Sequence, residues 1–199
     1  MPYIDPLEFF AKISDYGRKK DSLLLESADI VPKYGERSLG TADPCLKLKG
    51  SKEEFEILAL NKLGEEFLKL IKKDLDFCDK LSYTKKKITG ILKPKRKNVS
   101  EEERLKLKTH MDIIRTIAFK FKATSRPFVP YAGLFGGISY DFIDQFEDLG
   151  EDKEDILKDP DYELYFVDNL FLTDHKERKT VIVVNALIMH NDKEKIYKE

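Results

Sequence analysis

Between Leu23 and Ile30 an apolar run of three leucines ends on a carboxylate and a hydroxyl side by side, Glu26 and Ser27, and Arg37 follows ten positions beyond Ser27. Burying a carboxylate without a partner is costly, so Glu26 belongs at a rim or against a cation. These residue types suit one ligand chemistry in particular. A free amino acid carries an ammonium and a carboxylate a short distance apart, and a site for it needs an anion, a cation or amide donors, and an apolar wall. Glu26 can meet the ammonium, Arg37 can pair with the carboxylate or order the loop, and Leu25 can supply the wall. The plainer alternative is a strand that ends in a solvated turn, and from chemistry alone it is the commoner case.

The other chemistry-bearing groups read as structure. Gly133, Gly136 and Gly137 match neither a dinucleotide fingerprint nor a P-loop, so they mark a bulge or a close backbone approach. His110, His175 and His190 have no metal-ligand spacing and no nucleophile elbow beside them. His110 reads as a partly buried packing residue and His175 as a turn residue. Asp141, Asp144, Glu147 and Asp148 read as a solvated face, because nothing in their spacing makes oxygens converge on a metal. Lys85 to Lys87, with Lys93, Lys95, Arg96 and Lys97, form the local basic concentration. Only Tyr83 is near enough to stack a base, so a solvated loop is expected there and no nucleic-acid site.

The elements that must position these groups come mixed. Asp5-Pro6, followed by Leu7, Phe10 and Ile13, predicts a short capped helix. Leu23 to Glu26 is the first strand, and Cys45–Lys49 with Glu54–Leu60 predict a hairpin. Gly64 leads into a helix whose Leu68, Ile71, Leu75 and Cys78 share one face, and Lys87–Leu92 is a weak or bulged strand around Gly90. Ser100 with Glu103 reads as a capping box opening a long helix that carries Leu107, Met111, Ile114, Ala118 and Phe121. Leu134–Phe142, Glu163–Leu172 and Thr180–Ile188 predict three strands, the last two joined by the turn Thr173–Lys179. Strands and helices without regular alternation predict an α+β fold with a largely antiparallel, sandwich-like sheet and several packed helices. No boundary shows inside residues 1–190, and the polar stretch 191–199 reads as the start of a linker.

Composition narrows the class. The 199 residues are 41% hydrophobic and 37% charged, which supports a folded globule with a densely charged surface. Thirty-six basic residues nearly cancel 37 acidic ones, so no global field favours nucleic acid or an anionic membrane. Cys45 and Cys78 form no CxxC pair and suit a reducing cytoplasm. No signal peptide and no membrane-spanning run are visible.

Leu23-Leu-Leu-Glu-Ser-Ala-Asp-Ile30, Leu134-Phe-Gly-Gly-Ile-Ser-Tyr-Asp-Phe142, Gln145-Phe-Glu-Asp-Leu149, Pro160-Asp-Tyr162 and Asp174-His-Lys176 together resemble the N-terminal half of anthranilate synthase component I. The resemblance runs in order from about Leu23 to Leu187. It implies a regulatory and scaffold domain, inactive alone, of an enzyme that converts chorismate and ammonia to anthranilate and pyruvate in tryptophan biosynthesis. Implied partners are the chorismate-binding catalytic half, a glutamine amidotransferase subunit, and L-tryptophan as feedback effector. Magnesium is implied for the complete enzyme through that other half, and no cofactor for this chain. Carried over residue by residue, Leu25, Glu26, Ser27 and Arg37 form one side of the L-tryptophan site. The alternatives are the corresponding part of p-aminobenzoate synthase component I and a stand-alone amino-acid-binding or adaptor protein.

Overall fold

Asp5 and Pro6 start the first helix by the chemistry the sequence predicts. In the computed structural model, which describes residues 1–27, 35–93, 106–122, 130–147 and 157–188 with Ser100 and Glu102, α1 spans Pro6–Ile13. The Asp5 carboxylate accepts from the Glu8 N–H at 2.9 Å, and proline at the helix start forfeits no bond. After Ser14 the chain turns through Asp15, Tyr16 and Gly17, all at positive φ.

The chain divides into two compact units, and both are discontinuous in sequence. One comprises Met1–Pro44, Arg126–Gly133 and Val167–Glu199; the other comprises Cys45–Ser125 and Leu134–Phe166. Because the chain passes back and forth between them, no linker-like stretch marks a boundary.

The first unit holds a four-stranded sheet in the order β1-β2-β9-β10, with β1 at Leu23–Leu25, β2 at Arg37–Thr41, β9 at Asn169–Asp174 and β10 at Lys179–Val184. Every pairing in it is antiparallel. Helix α1 lies on β2, and Phe9 meets Phe171 edge-on at 4.9 Å between centroids. The β9–β10 hairpin closes at Asp174–Lys179, and Arg178 at positive φ completes its turn, so the expected Thr173–Lys179 turn is present.

The second unit holds a six-stranded sheet in the order β5-β6-β4-β3-β8-β7. Here β3 is Leu46–Ser51, β4 Glu54–Ala59, β5 Lys80–Thr84, β6 Lys87–Ile91, β7 Gly133–Ile138 and β8 Tyr162–Val167. The predicted hairpin is β3–β4, with Lys52 at positive φ in its turn. Helix α2, Lys62–Ile71, is capped by Asn61, whose side chain accepts from the Gly64 N–H at 3.0 Å. Gly64 therefore sits inside the helix. A Cβ there would come within 2.1 Å of the Cys45 carbonyl oxygen, so only glycine lets the helix approach β3 so closely. Leu68, Ile71 and Leu75 share a buried face, joined by Ile113 and Ile117 of α3, His110–Lys120, over Leu46, Leu48, Ile57 and Ile88 of the sheet. Each such side chain contributes about 1.5–3 kcal/mol on burial.

Several expectations are corrected. The run Glu163–Leu172 is two strands, β8 and β9, which belong to different sheets; Asp168 separates them, its carbonyl accepting from the N–H (2.9 Å) and Nδ2 (2.8 Å) of Asn185. The long helix begins at His110, where Thr109 and Asp112 form the capping box, so Leu107 lies ahead of it. Glu103 lies outside the described residues. Strand β5 had no apolar alternation to announce it, because most of it is exposed. The strand at Leu134 ends at Ile138 and yields to a 3₁₀ helix over Tyr140–Gln145, and the last strand ends at Val184. The ladder around Gly90 runs without a bulge, and Gly90 makes room for the Phe55 ring. Gly136, at φ +154, lies where a Cβ would meet the Glu163 carbonyl at 2.2 Å, the close approach its sequence setting suggests.

Candidate functional site

The β1–β2 ladder closes at Leu25–Leu39. There the chain leaves the sheet, and the Ser27 N–H donates to the side-chain Oγ of Ser38 at 3.1 Å. Residues ten positions apart in sequence are thereby brought back beside one another, because Arg37 directly precedes Ser38 on β2. Leu25 and Glu26 are exposed and Ser27 is half-buried, so the strand delivers the carboxylate to a rim, where its charge keeps water.

Arg37 stands opposite Asp174 in the β2–β9 register, and its Nε–H donates to Asp174 Oδ2 at 3.2 Å. The other carboxylate oxygen accepts from the Glu177 N–H at 2.8 Å. The Glu177 amide and then Arg37, working against burial, hold the Asp174 carboxyl below the usual carboxylate range. Arg37 thus has an ordering contact at the start of β2 before any ligand is considered.

Behind this rim runs a chain of polar contacts. Ser38 is fully buried, and its Oγ lies 2.8 Å from His175 Nε2. His175 Nδ1 lies 3.2 Å from the Tyr3 hydroxyl, and the His175 N–H donates to the Glu36 carbonyl at 2.8 Å. The Arg178 guanidinium covers the Tyr3 ring at 4.4 Å from its centroid. Tyr3 and Ser38 carry no motif, and His175 reads in sequence only as a turn residue. Their partners lie 137 and 172 residues away, beyond any local signal.

Leu25, Glu26, Ser27 and Arg37 line neither of two cavities in the molecule. One, of about 880 Å³, lies over the charged face of the six-stranded sheet among Lys49, Glu56, Lys87 and Glu163. The other, of about 360 Å³, lies in the first unit against Phe9, Ile13, Phe171, Ile182 and Val184. The four candidate residues form an open rim.

The remaining candidates fall into place by packing and pairing. His110 is fully buried rather than partly so, edge-on to both Phe55 and Tyr162. Among the described residues neither ring nitrogen meets a partner in good hydrogen-bond geometry, and burial holds its pKa below the ordinary value, opposed by the backbone of Glu53 and the Asp161 charge. Lys85 pairs with Glu65 at 3.1 Å and Lys87 with Glu56, while Lys95, Arg96, Lys97 and Asp148 lie outside the described residues. Among the described residues no group of three His, Cys, Asp or Glu is placed to hold a metal ion, and no helix is long and apolar enough to cross a membrane.

The fold is α+β, and the four candidate residues stand together on one open rim of the first unit. No family model matches the chain. Anthranilate synthase component 1 of Buchnera aphidicola subsp. Acyrthosiphon pisum (strain APS) is 29% identical over 192 residues, 96% of this chain and 36% of that protein. Anthranilate synthase component 1 of Buchnera aphidicola subsp. Diuraphis noxia is 30% identical over 194 residues, again 96% of this chain and 36% of the relative. Among solved structures, anthranilate synthase component I from Streptococcus pneumoniae TIGR4 aligns with a TM-score of 0.45 and 16% identity, over all of this chain and 34% of that one. The chain is a homologue of anthranilate synthase component 1 along nearly its whole length, and it spans about a third of the length of the curated relatives it matches.

Proposed function

We propose that the chain is the N-terminal regulatory and scaffold part of an anthranilate synthase component I, and that it carries one side of a feedback site for L-tryptophan. The observation that carries this reading is similarity along 96% of the chain to proteins of which it covers 36%. The complete enzyme would convert chorismate and ammonia to anthranilate and pyruvate in the cytoplasm. Its other half would hold magnesium and chorismate, and a glutamine amidotransferase subunit would supply the ammonia. In the effector site Glu26 meets the ligand ammonium, Leu25 borders the indole, and Ser27 and Arg37 face the carboxylate end. The open rim supports a site that a second half completes.

A charge-assisted contact such as Glu26 to an ammonium is worth about 1.5–3 kcal/mol. One such contact with partial apolar burial cannot offset the entropy lost on binding, so the chain alone binds L-tryptophan weakly, with a Kd on the order of a millimolar or worse, about −4 kcal/mol. The chain contains no tryptophan, so indole fluorescence reports the ligand alone. The test is titration of L-tryptophan into the chain, into the chain supplemented with a catalytic half, and into Glu26→Ala in both settings. Tighter binding with the second half, lost in Glu26→Ala, is the expected result. Micromolar binding to the chain alone would favour a stand-alone amino-acid-binding protein instead. Anthranilate production by the chain alone, surviving repurification, would overturn the assignment of catalysis to the other half.

A further inference from the structure

We propose that His175 is a positioning residue for the effector rim: through Ser38 it fixes the main chain at Ser27, and with it the direction in which Glu26 is presented. The inference rests on the reading of the Leu25-Glu26-Ser27 step as a ligand site. Ser27 is past the last rung of the β1–β2 ladder, so its N–H is held by the Ser38 hydroxyl instead of by a strand carbonyl. A serine hydroxyl has three staggered positions, and only a further contact selects one of them. His175 Nε2, half-buried and 2.8 Å from the oxygen of the fully buried Ser38, supplies the contact.

The imidazole is itself set without help from any ligand. Its main-chain N–H is bound to the Glu36 carbonyl, its Nδ1 faces the Tyr3 hydroxyl, and its ring lies 5.9 Å from that of Tyr3 between centroids. A group whose orientation is settled by packing can pre-organise the residue it touches, which lowers the entropy a ligand must overcome. The relay joins the N-terminal segment, the β9–β10 turn and the start of β2, three stretches of chain that only the folded sheet brings together. Sequence places neither the N-terminal segment nor the β9–β10 turn near Glu26.

The two ring nitrogens give a test that a merely structural role would not pass. In the full chain, His175→Gln puts an amide within reach of Ser38, as Nε2 is, whereas His175→Asn puts one within reach of Tyr3, as Nδ1 is. Amide exchange at Ser27, read by nuclear magnetic resonance, and L-tryptophan fluorescence titration are the measurements. His175→Ala is expected to speed Ser27 exchange and weaken L-tryptophan binding about fivefold, the loss of one ordinary hydrogen bond. Gln restores both and Asn restores neither, with both variants unfolding at similar temperatures. Equal rescue by Asn and Gln, or Ser27 exchange indifferent to every substitution, would overturn the positioning role. Absence of saturable L-tryptophan binding to the unsubstituted chain, with Ser27 exchange still obeying the Gln/Asn pattern, would overturn the ligand reading instead and leave the relay in place.

Discussion

The two units bury different kinds of side chain. Among the described residues of the unit built on the six-stranded sheet, glycine and proline aside, nineteen of those hidden from solvent are apolar and two, His110 and Gln145, are polar. In the unit built on the four-stranded sheet, the described residues include, on the same count, six apolar and six polar ones: Ser14, Ser38, Thr41, Asp168, Thr173 and Thr180. The first is held by volume, which is tolerant of detail but costly to empty. The second depends on hydrogen bonds with fixed partners and directions. Thr180 Oγ1 accepts from the Ile4 N–H at 3.0 Å and lies 3.1 Å from Thr173 Oγ1, just as Ser38 accepts from Ser27. Directional bonds orient a backbone more narrowly than apolar contact does, and the candidate rim lies on the unit that uses them. That unit also leaves apolar side chains in solvent, Ile182 and Val184 on the outer strand β10. On the other unit Ile138, the last residue of edge strand β7, and Tyr140, which opens the 3₁₀ helix after it, are likewise exposed.

Emptying the apolar unit gives the largest effect. Ile57→Ala or Leu68→Ala is expected to lower the unfolding free energy by about 2–5 kcal/mol, read as a fall in urea midpoint. In the polar unit the corresponding damage conserves volume: Thr180→Val keeps the shape but orphans the Ile4 N–H, at about 1–3 kcal/mol. The matched change Ile117→Val costs only about 0.5–1.5 kcal/mol. A neutral Thr180→Val would erase the distinction between the units, and hydrogen exchange at Ile4 would show whether water had replaced the hydroxyl.

His110 is the exception within the apolar unit and makes it sensitive to acid. Its folded-state pKa is held below the ordinary value of about 6.5 by burial, so the unfolded chain takes up a proton first as pH falls. Stability is therefore expected to decline below about pH 6.5, at up to about 1.4 kcal/mol per pH unit, until the folded-state pKa is reached. Urea midpoints for His110→Phe, whose ring suits its neighbours Phe55 and Tyr162, should lose that part of the slope. An unchanged slope would place the acid sensitivity elsewhere.

The smallest effect belongs to the charged outer face. Burial alone would raise the Glu56 pKa, but Lys87 and Lys49 on the flanking strands more than reverse it. A lowered carboxyl pKa gives stability that is present above the ordinary carboxylate range and disappears as pH falls through the folded-state value. Glu56→Gln is expected to cost about 0.2–1 kcal/mol at pH 7, with the difference from the unsubstituted chain vanishing once the folded-state carboxylate is protonated. A persisting difference would mean that Glu56 acts through shape and not through charge.

The local chemistry of the fold was legible in the sequence. Asp5-Pro6 announced its helix, the alternation on either side of Gly50 announced the β3–β4 hairpin, and the triad Leu68, Ile71 and Leu75 announced a buried helical face. Each signal lies within a few residues, where backbone sterics and side-chain period act directly. The apolar run Leu23–Leu25 meeting Glu26 likewise marked a strand that must end at water, since a carboxylate resists burial. Tertiary structure alone decided the rest. Nothing in Tyr162–Leu172 tells that its two halves join different sheets, because a continuous apolar run is compatible with one strand or two. The long helix starts at a capping box at Thr109, since that spacing satisfies the orphan amides of a helix start as well as the one at Ser100 would. The contacts that set the candidate rim, Arg37 with Asp174 and His175 with Ser38, span 137 residues each. A hydrogen bond needs its partner within about 3 Å, and only the closed four-stranded sheet brings residues so remote in sequence to that distance.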